Sequence, residues 1–275
     1  MRTIDQILAP LFPRFKRAPS LVIAGFQKCG TTSLYHYLTQ TPYFAAGRKK
    51  ECNILSDPQY NYLEYLANFP YTFQIGGKHT LCASHQVSFI PRGLDRLKKH
   101  LPDIKVVFIM RDPVERAWSR YSHNQRKNFD LGTKDPAFPW SFEELCQMEM
   151  ELVRNMEDPY DVAELHAKTA YFSYYGLPVT RGLYYTFIKP FCDAGFACHF
   201  MSLEELQADF SSAFGDLLDF LELPTAIEFP EPKKYNRSGK PTEIPSGIAA
   251  ELRAFYAPFN QRLFDFLGHA YHWST

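Results

Sequence analysis

Leu21-Val22-Ile23-Ala24-Gly25-Phe26-Gln27-Lys28-Cys29-Gly30-Thr31-Thr32-Ser33-Leu34 is the stretch whose reading decides the fold. An apolar, β-branched run from Leu21 to Ala24 stops at Gly25. A short loop carrying Lys28 and Gly30 then leads into a helical pattern, Leu34, Tyr37 and Leu38. A strand, a tight turn and a helix start aim backbone N–H groups at an anion. A phosphate-bearing ligand is the occupant this arrangement predicts.

Outward from there, Lys105–Met110 (K-V-V-F-I-M) reads as a second buried strand, short and almost wholly apolar. It ends at Arg111-Asp112-Pro113, and Pro113 suits the first turn of a helix running to about Arg126. Shorter strands are expected at Thr80–Val87 and Phe196–Met201, the latter followed by a Ser-capped helix from Leu203. Helices are expected at Pro91–His100, Ala163–Ala170, Asp216–Leu221 and Gly247–Leu267. Another should cover Ser141–Met156, opened by a Ser141/Glu144 capping box. Residues 58–79, rich in Tyr and Phe, read as one helix and a connecting loop. Strands alternating with helices predict an α/β fold, three layers in αβα order, with a central parallel sheet covered on both faces. No linker plainly divides the chain, so residues 1–19 are expected as an N-terminal arm and 20–275 as one domain.

Composition narrows the partners. The 30 basic and 30 acidic residues cancel, which argues against a general nucleic-acid binder. The 24 Phe and 17 Tyr predict a core, and any acceptor pocket, rich in rings. Six cysteines without CxxC spacing, and no secretory leader, predict reduced thiols in a cytoplasm, with Cys192 and Cys198 as two buried thiols rather than a disulfide. No run reaches the ~18 apolar residues of a membrane span. Pro10 and Pro13 break up the N-terminal apolar residues.

The loop resembles a Walker A motif but lacks its chemistry. Walker A reads G-x-x-x-x-G-K-[ST], with the Lys on the outer phosphates and the hydroxyl on Mg²⁺. Gly25 and Gly30 keep the interval, yet Thr31 stands where the Lys belongs and Lys28 lies inside the loop. A P-loop-type small-molecule kinase is therefore the disfavoured alternative. Eight residues apart, Arg111 and Ser119 place one cation at a strand's C-terminal edge and one hydroxyl on the next helix, enough to hold a phosphate. The competing reading pairs Arg111 with Asp112 or Glu115 on a solvated helix.

The G-x-x-K-[CSA]-G-[ST]-[ST] pattern resembles the 5′-phosphosulfate loop of sulfotransferases that use 3′-phosphoadenosine 5′-phosphosulfate (PAPS). The motifs are most like those of the heparan-type and carbohydrate members. That resemblance implies a P-loop-like fold. It also implies that Gln27, Lys28, Cys29, Gly30, Thr31, Thr32 and Ser33 take the 5′-phosphosulfate, and Arg111 with Ser119 the 3′-phosphate. Lys50-Glu51-Cys52-Asn53-Ile54-Leu55 resembles the family's K-E-x-[HN]-[FY]-[FL] segment, which implies Glu51 as general base and Lys50 as its assistant. Lys28 would then stabilise charge on the leaving oxygen, and Cys29 would be a small filler rather than a nucleophile. Arg237, Ser238, Gly239 and Lys240 match a late basic loop that folds over the nucleotide, and Arg181-Gly182-Leu183-Tyr184 resembles the family's R-G-x-Y segment.

The resemblance covers most of residues 20–268. It departs at Cys82–Val87, where the Pro and Tyr of the E-[AK]-[ST]-P-x-Y segment are gone, which argues against a heparan-like acceptor. His85 reads as a buried, satisfied histidine, with an acceptor contact or a second acid/base group as the alternative, and His123 as a packed helix residue facing the cleft. The acidic helix Glu143–Glu157 reads as a solvated face, with attraction of a cationic acceptor as the alternative. Membrane anchors mark the Golgi glycan enzymes of this family. A chain without such a segment is expected to be soluble and microbial, or trimmed of its anchor. The expected activity moves a sulfuryl group from PAPS to a hydroxyl or amine of a small metabolite or a glycan. It leaves 3′-phosphoadenosine 5′-phosphate (PAP) and needs no metal, nucleic acid or membrane span. A non-catalytic PAP-binding protein is the other alternative.

Overall fold

The computed structural model describes residues 15–130, 140–169, 177–232 and 243–273, the side chains of 126–130 excepted. In chain order the elements are β1 (Leu21–Ile23), α1 (Thr31–Gln40), β2 (Phe44–Ala45), α2 (Tyr62–Leu66), β3 (His79–Ala83), α3 (Gln86–Phe89), α4 (Pro91–His100), β4 (Lys105–Met110) and α5 (Pro113–Asp130). There follow α6 (Phe142–Arg154), α7 (Val162–Thr169), α8 (Tyr184–Asp193), β5 (Cys198–Ser202), α9 (Leu203–Ala208), α10 (Phe210–Phe220) and α11 (Ser246–Leu267). The chain divides into two compact units. One lies within Met1–Phe26, Gly30–Ile109 and Phe191–Asn236, the other within Gln27–Cys29, Met110–Pro190 and Arg237–Thr275.

The first unit holds a parallel five-stranded sheet in the order β2-β3-β1-β4-β5. Leu21 pairs with Leu81 on one side and with Lys105 on the other, so β1 is the central strand. All of β1 is buried, as is every residue of β3 and β4 except the first. Strands apolar on both faces belong to a sheet covered on both faces, as the unbroken run K-V-V-F-I-M predicts. Around β1, the side chains of Leu34, Leu38, Val107, Ile109, Phe214 and Leu217 close the core.

Local chemistry sets the helix ends. Ser202 and Ser141 each form a capping box with the Glu three residues on, Glu205 and Glu144. Several elements differ from the sequence expectation. Residues 58–79 hold the one expected helix, short at Tyr62–Leu66, and a connection that adds a 3-10 turn at Thr72–Gln74. The strand expected to reach Val87 stops at Ala83, and Gln86–Phe89 turns helical instead. Helix α10 begins at Phe210, six residues before the expected start, because the Asp209 carboxylate accepts from Ser212 N–H. Helix α8 was not expected: Pro190 sits inside it.

In the second unit, buried Asp112 caps α5, its Oδ1 accepting from Val114 N at 2.8 Å and Glu115 N at 3.2 Å. Glu149, 1% exposed, sits on the buried face of α6. Its Oε2 accepts from Val179 N (3.1 Å), Thr180 N (2.7 Å) and Thr180 Oγ1 (2.8 Å). Burial raises its pKa, and the Thr180 and Val179 donors oppose that rise. Arg116, fully buried, donates to the carbonyl oxygens of Leu177 and Pro178. One carboxylate and one guanidinium thus hold residues 177–180. None of the six cysteines forms a disulfide; Cys192 and Cys198 are partly exposed rather than buried as expected. Among the described residues no helix is long and apolar enough to cross a membrane.

Replacing Glu149 by Ala strands two buried backbone donors and one hydroxyl. The loss of stability should be about 2–5 kcal/mol, read as a lower urea midpoint with unchanged slope.

Candidate functional site

Past the end of β1 the chain keeps to β4. Ala24 N donates to Val107 O at 2.9 Å and Phe26 N to Ile109 O at 3.1 Å. Gly25 lies between them, and a Cβ there would meet Phe108 Cα at 3.2 Å and Ile109 N at 3.3 Å. A side chain would push the two backbones apart. Residues 27–30 form the turn, with Lys28 at φ 69° and Gly30 at φ 91°. Left-handed residues at alternate positions curl a short loop so that its N–H groups face inward, a concavity that suits an anion. A left-handed Lys is uncommon, and such positions cluster at ligand sites. Gly30 caps α1 without any side-chain hydrogen bond, so no cap side chain occupies the first-turn N–H groups. A Cβ on Gly30 would stand 2.8 Å from Leu203 Cδ1.

The segment Lys50–Cys52 lies alongside the C-terminal end of β3. Ala83 N donates to Lys50 O at 3.0 Å and Cys52 N to Ala83 O at 3.2 Å, so Glu51 bridges Ala83 in parallel. Asn53 continues the connection, its Oδ1 accepting from Ser84 Oγ at 3.0 Å. Lys50 Nζ lies 2.8 Å from Thr32 Oγ1 and 3.1 Å from Glu51 Oε1. The structure thus brings Thr32, Lys50 and Glu51 together in the first unit, at the carboxyl edge of the sheet, where open α/β sheets bind ligands. The Lys50 side chain is 21% exposed and that of Glu51 47%. Lys50 is mostly enclosed, and Glu51 can be reached from solvent.

In the second unit Arg111 follows directly on β4. Its Nη2 is 3.1 Å from Glu115 Oε2, so of the two carboxylates the sequence offers it pairs with Glu115, while Asp112 caps the helix. Ser119 lies partly buried on α5. Cys29 is fully buried, with Sγ 3.6 Å from Gln27 O and 3.7 Å from the Tyr184 hydroxyl. That same hydroxyl donates to Arg111 O at 2.7 Å. Tyr184 was placed by sequence only within the R-G-L-Y segment and given no role there. Its hydrogen bonds run to a thiol and a backbone carbonyl, which leave no spacing to read.

Arg237, Ser238, Gly239 and Lys240 lie outside the described residues. His85 precedes α3, partly exposed, its ring 6.0 Å from that of Phe89. His123 is partly exposed on α5. Among the described residues no group of three or more His, Cys, Asp or Glu could hold a metal.

Gly30→Ala forces a Cβ into a left-handed residue and against Leu203. It should cost about 1–3 kcal/mol in chemical denaturation and weaken binding of anions at the turn.

The comparisons with known proteins agree with one another. The family model described as "Sulfotransferase domain" matches residues 18–238. Heparan sulfate glucosamine 3-O-sulfotransferase 6 of Mus musculus is 24% identical over 290 residues, covering 95% of this chain and 75% of that protein. The membrane-associated sulfotransferase kil1 of Dictyostelium discoideum is 29% identical over 137 residues, 49% of this chain, and this match spans only 29% of that protein's length. Among solved structures, a sulfotransferase from Alicyclobacillus acidocaldarius superposes with a TM-score of 0.67 at 25% identity, covering 92% of this chain and 97% of that one. Its fold is the P-loop-like one that the family resemblance implies. On a match that runs from just before β1 to beyond α10, the chain belongs to the sulfotransferase domain family.

Proposed function

We propose that the protein is a PAPS-dependent sulfotransferase acting on a hydroxyl or amine of a small metabolite or glycan, with Glu51 as general base. The observation that carries this reading is the Thr32–Lys50–Glu51 group. A helix-start hydroxyl and a solvent-reachable carboxylate share the one ammonium of Lys50, at 2.8 Å and 3.1 Å. The turn before it fits a phosphosulfate. Two left-handed residues curl its backbone, Lys28 supplies charge, and the first turn of α1 has no side-chain cap.

PAPS supplies a sulfuryl group on a good phosphate leaving group, so in-line transfer needs positioned charge more than covalent help. Glu51 takes the proton from the acceptor oxygen or nitrogen as its bond to sulfur forms. Lys28 meets the charge that grows on the bridging oxygen as the bond from that oxygen to sulfur breaks. Lys50 bridges the Glu51 carboxylate and the Thr32 hydroxyl. Arg111 and Ser119 hold the 3′-phosphate, and the Arg237–Lys240 stretch contributes to the nucleotide by its type and position in sequence. Cys29 stays a buried filler.

The zero net charge and the altered Cys82–Val87 stretch favour a compact acceptor over a polyanion. The single-domain organisation of residues 20–275 and a cytoplasmic location belong to the same reading.

A screen of acceptors with radiolabelled PAPS tests it, run beside Glu51→Gln. Transfer should fall by about 10²–10⁴ in the variant while PAP still binds. Unaltered turnover in Glu51→Gln removes Glu51 from its role. PAP binding with no acceptor ever labelled would favour the non-catalytic alternative, and turnover of ATP with Mg²⁺ the kinase. Arg111→Ala should weaken PAP binding about 10- to 100-fold, as loss of a charge-assisted contact does, measured by calorimetry.

A further inference from the structure

The R-G-L-Y segment has no part in the chemistry above, yet its last residue touches two pieces of the proposed donor site. Tyr184 opens α8 and is 2% exposed. Its hydroxyl donates to the carbonyl oxygen of Arg111 at 2.7 Å and lies 3.7 Å from Cys29 Sγ. A phenol has one proton, and a carbonyl has none to give. The proton therefore points at Arg111, the thiol proton of Cys29 is directed at Gln27 O, and the phenol oxygen rests against Cys29 Sγ. Burial raises the Tyr184 pKa well above its ordinary value, so the proton stays in place across the working pH range.

One contact falls on backbone and the other on the side chain of a turn residue, and both belong to chain that must be held still. Arg111 stands between the last residue of β4 and the cap of α5, so its carbonyl fixes the direction in which the guanidinium leaves the chain. Cys29 stands between the two left-handed residues, Lys28 and Gly30, and so reports the shape of the anion turn. The segment delivering the phenol is itself anchored. Glu149 takes the N–H groups of Val179 and Thr180, and Tyr256 donates its hydroxyl to Val179 O at 2.7 Å. Gly182 lies so close to Tyr256 that a Cβ would meet its hydroxyl at 2.8 Å. The ring of Trp273 lies 5.6 Å from that of Tyr184.

We propose that Tyr184 is a positioning residue for the donor nucleotide: one phenol sets the 5′-phosphosulfate turn through Cys29 and the 3′-phosphate cation through the Arg111 carbonyl. This rests on the reading of those two pieces as donor contacts. Tyr184 touches neither donor nor acceptor. Its effect belongs to nucleotide affinity rather than to the rate of transfer.

Tyr184→Phe removes one oxygen and keeps the ring. The dissociation constant for PAP and the KM for PAPS should both rise about five- to twenty-fold, what one buried hydrogen bond is worth. The kcat should stay within about two-fold, and the melting temperature should drop only a few degrees. Cys29→Ala should weaken PAP binding in the same direction, and Cys29→Ser, which keeps a donor, should restore most of it. In the double variant Tyr184→Phe with Arg111→Ala, the two losses should add to less than their sum.

A fall in kcat with unchanged KM, or unchanged PAP affinity in a folded Tyr184→Phe, overturns the proposal. If Tyr184→Phe does not fold, Cys29→Ala and Cys29→Ser carry the test, and equal PAP affinity in both overturns it. Failure of the unaltered protein to bind PAP overturns the donor reading itself, which separates the two failures.

Discussion

The backbone of Ala24–Phe26 runs on beyond the end of β1, still hydrogen-bonded to Val107 and Ile109 of β4. This closeness demands a residue without a Cβ at Gly25, where Phe108 and Ile109 backbone atoms stand 3.2 and 3.3 Å from where one would be. It also fixes where the chain is released from the sheet. The turn at 27–30 starts from a rigid edge, so its two left-handed residues hold a defined curl rather than a flexible loop. Were the pairing to stop at Ile23, the turn would begin three residues earlier, with a pliable Ala-Gly-Phe stretch between sheet and helix. The point at which the chain leaves the sheet is therefore a property of the central strand pair as much as of the loop.

Much of this was legible in the sequence because it is local. Lys105–Met110 forms a strand with the expected bounds, since a short apolar β-branched run stopped by Arg-Asp-Pro has few other solutions. The Ser141/Glu144 box is a contact between residues three apart and is visible as such. The illegible parts depend on distant partners. Helix α8 carries Pro190, which sequence reasoning treats as a breaker, yet Phe187, Ile188 and Phe191 bury one face and outweigh it. The two-residue β2 exists only because β3 lies beside it. At the site, the Lys-Cys-Gly-Thr-Thr run announced the turn. Nothing in spacing announced that Lys50 would reach Thr32, eighteen residues away, or that Tyr184 would reach Cys29, 155 residues away.

The ion pair at Arg111 bears on its competing reading. Its guanidinium meets Glu115 four residues on, as an ordinary solvated helix would have it. That reading and the phosphate-binding one are often set against each other, but their magnitudes differ. A half-exposed i,i+4 pair contributes about 0.3–0.5 kcal/mol, whereas a charge-assisted hydrogen bond to an anion contributes roughly 1.5–3 kcal/mol. On the proposed reading, a phosphate dianion displaces Glu115 at little cost. A pair this weak keeps an extended side chain near one orientation without committing it. The same holds at Lys50, where Thr32 and Glu51 share one ammonium and neither binds all of its protons. The cations of the two units are thus held by partners weak enough to leave, and the backbone beneath them is held by strand pairing, Asp112 and Tyr184, which are not.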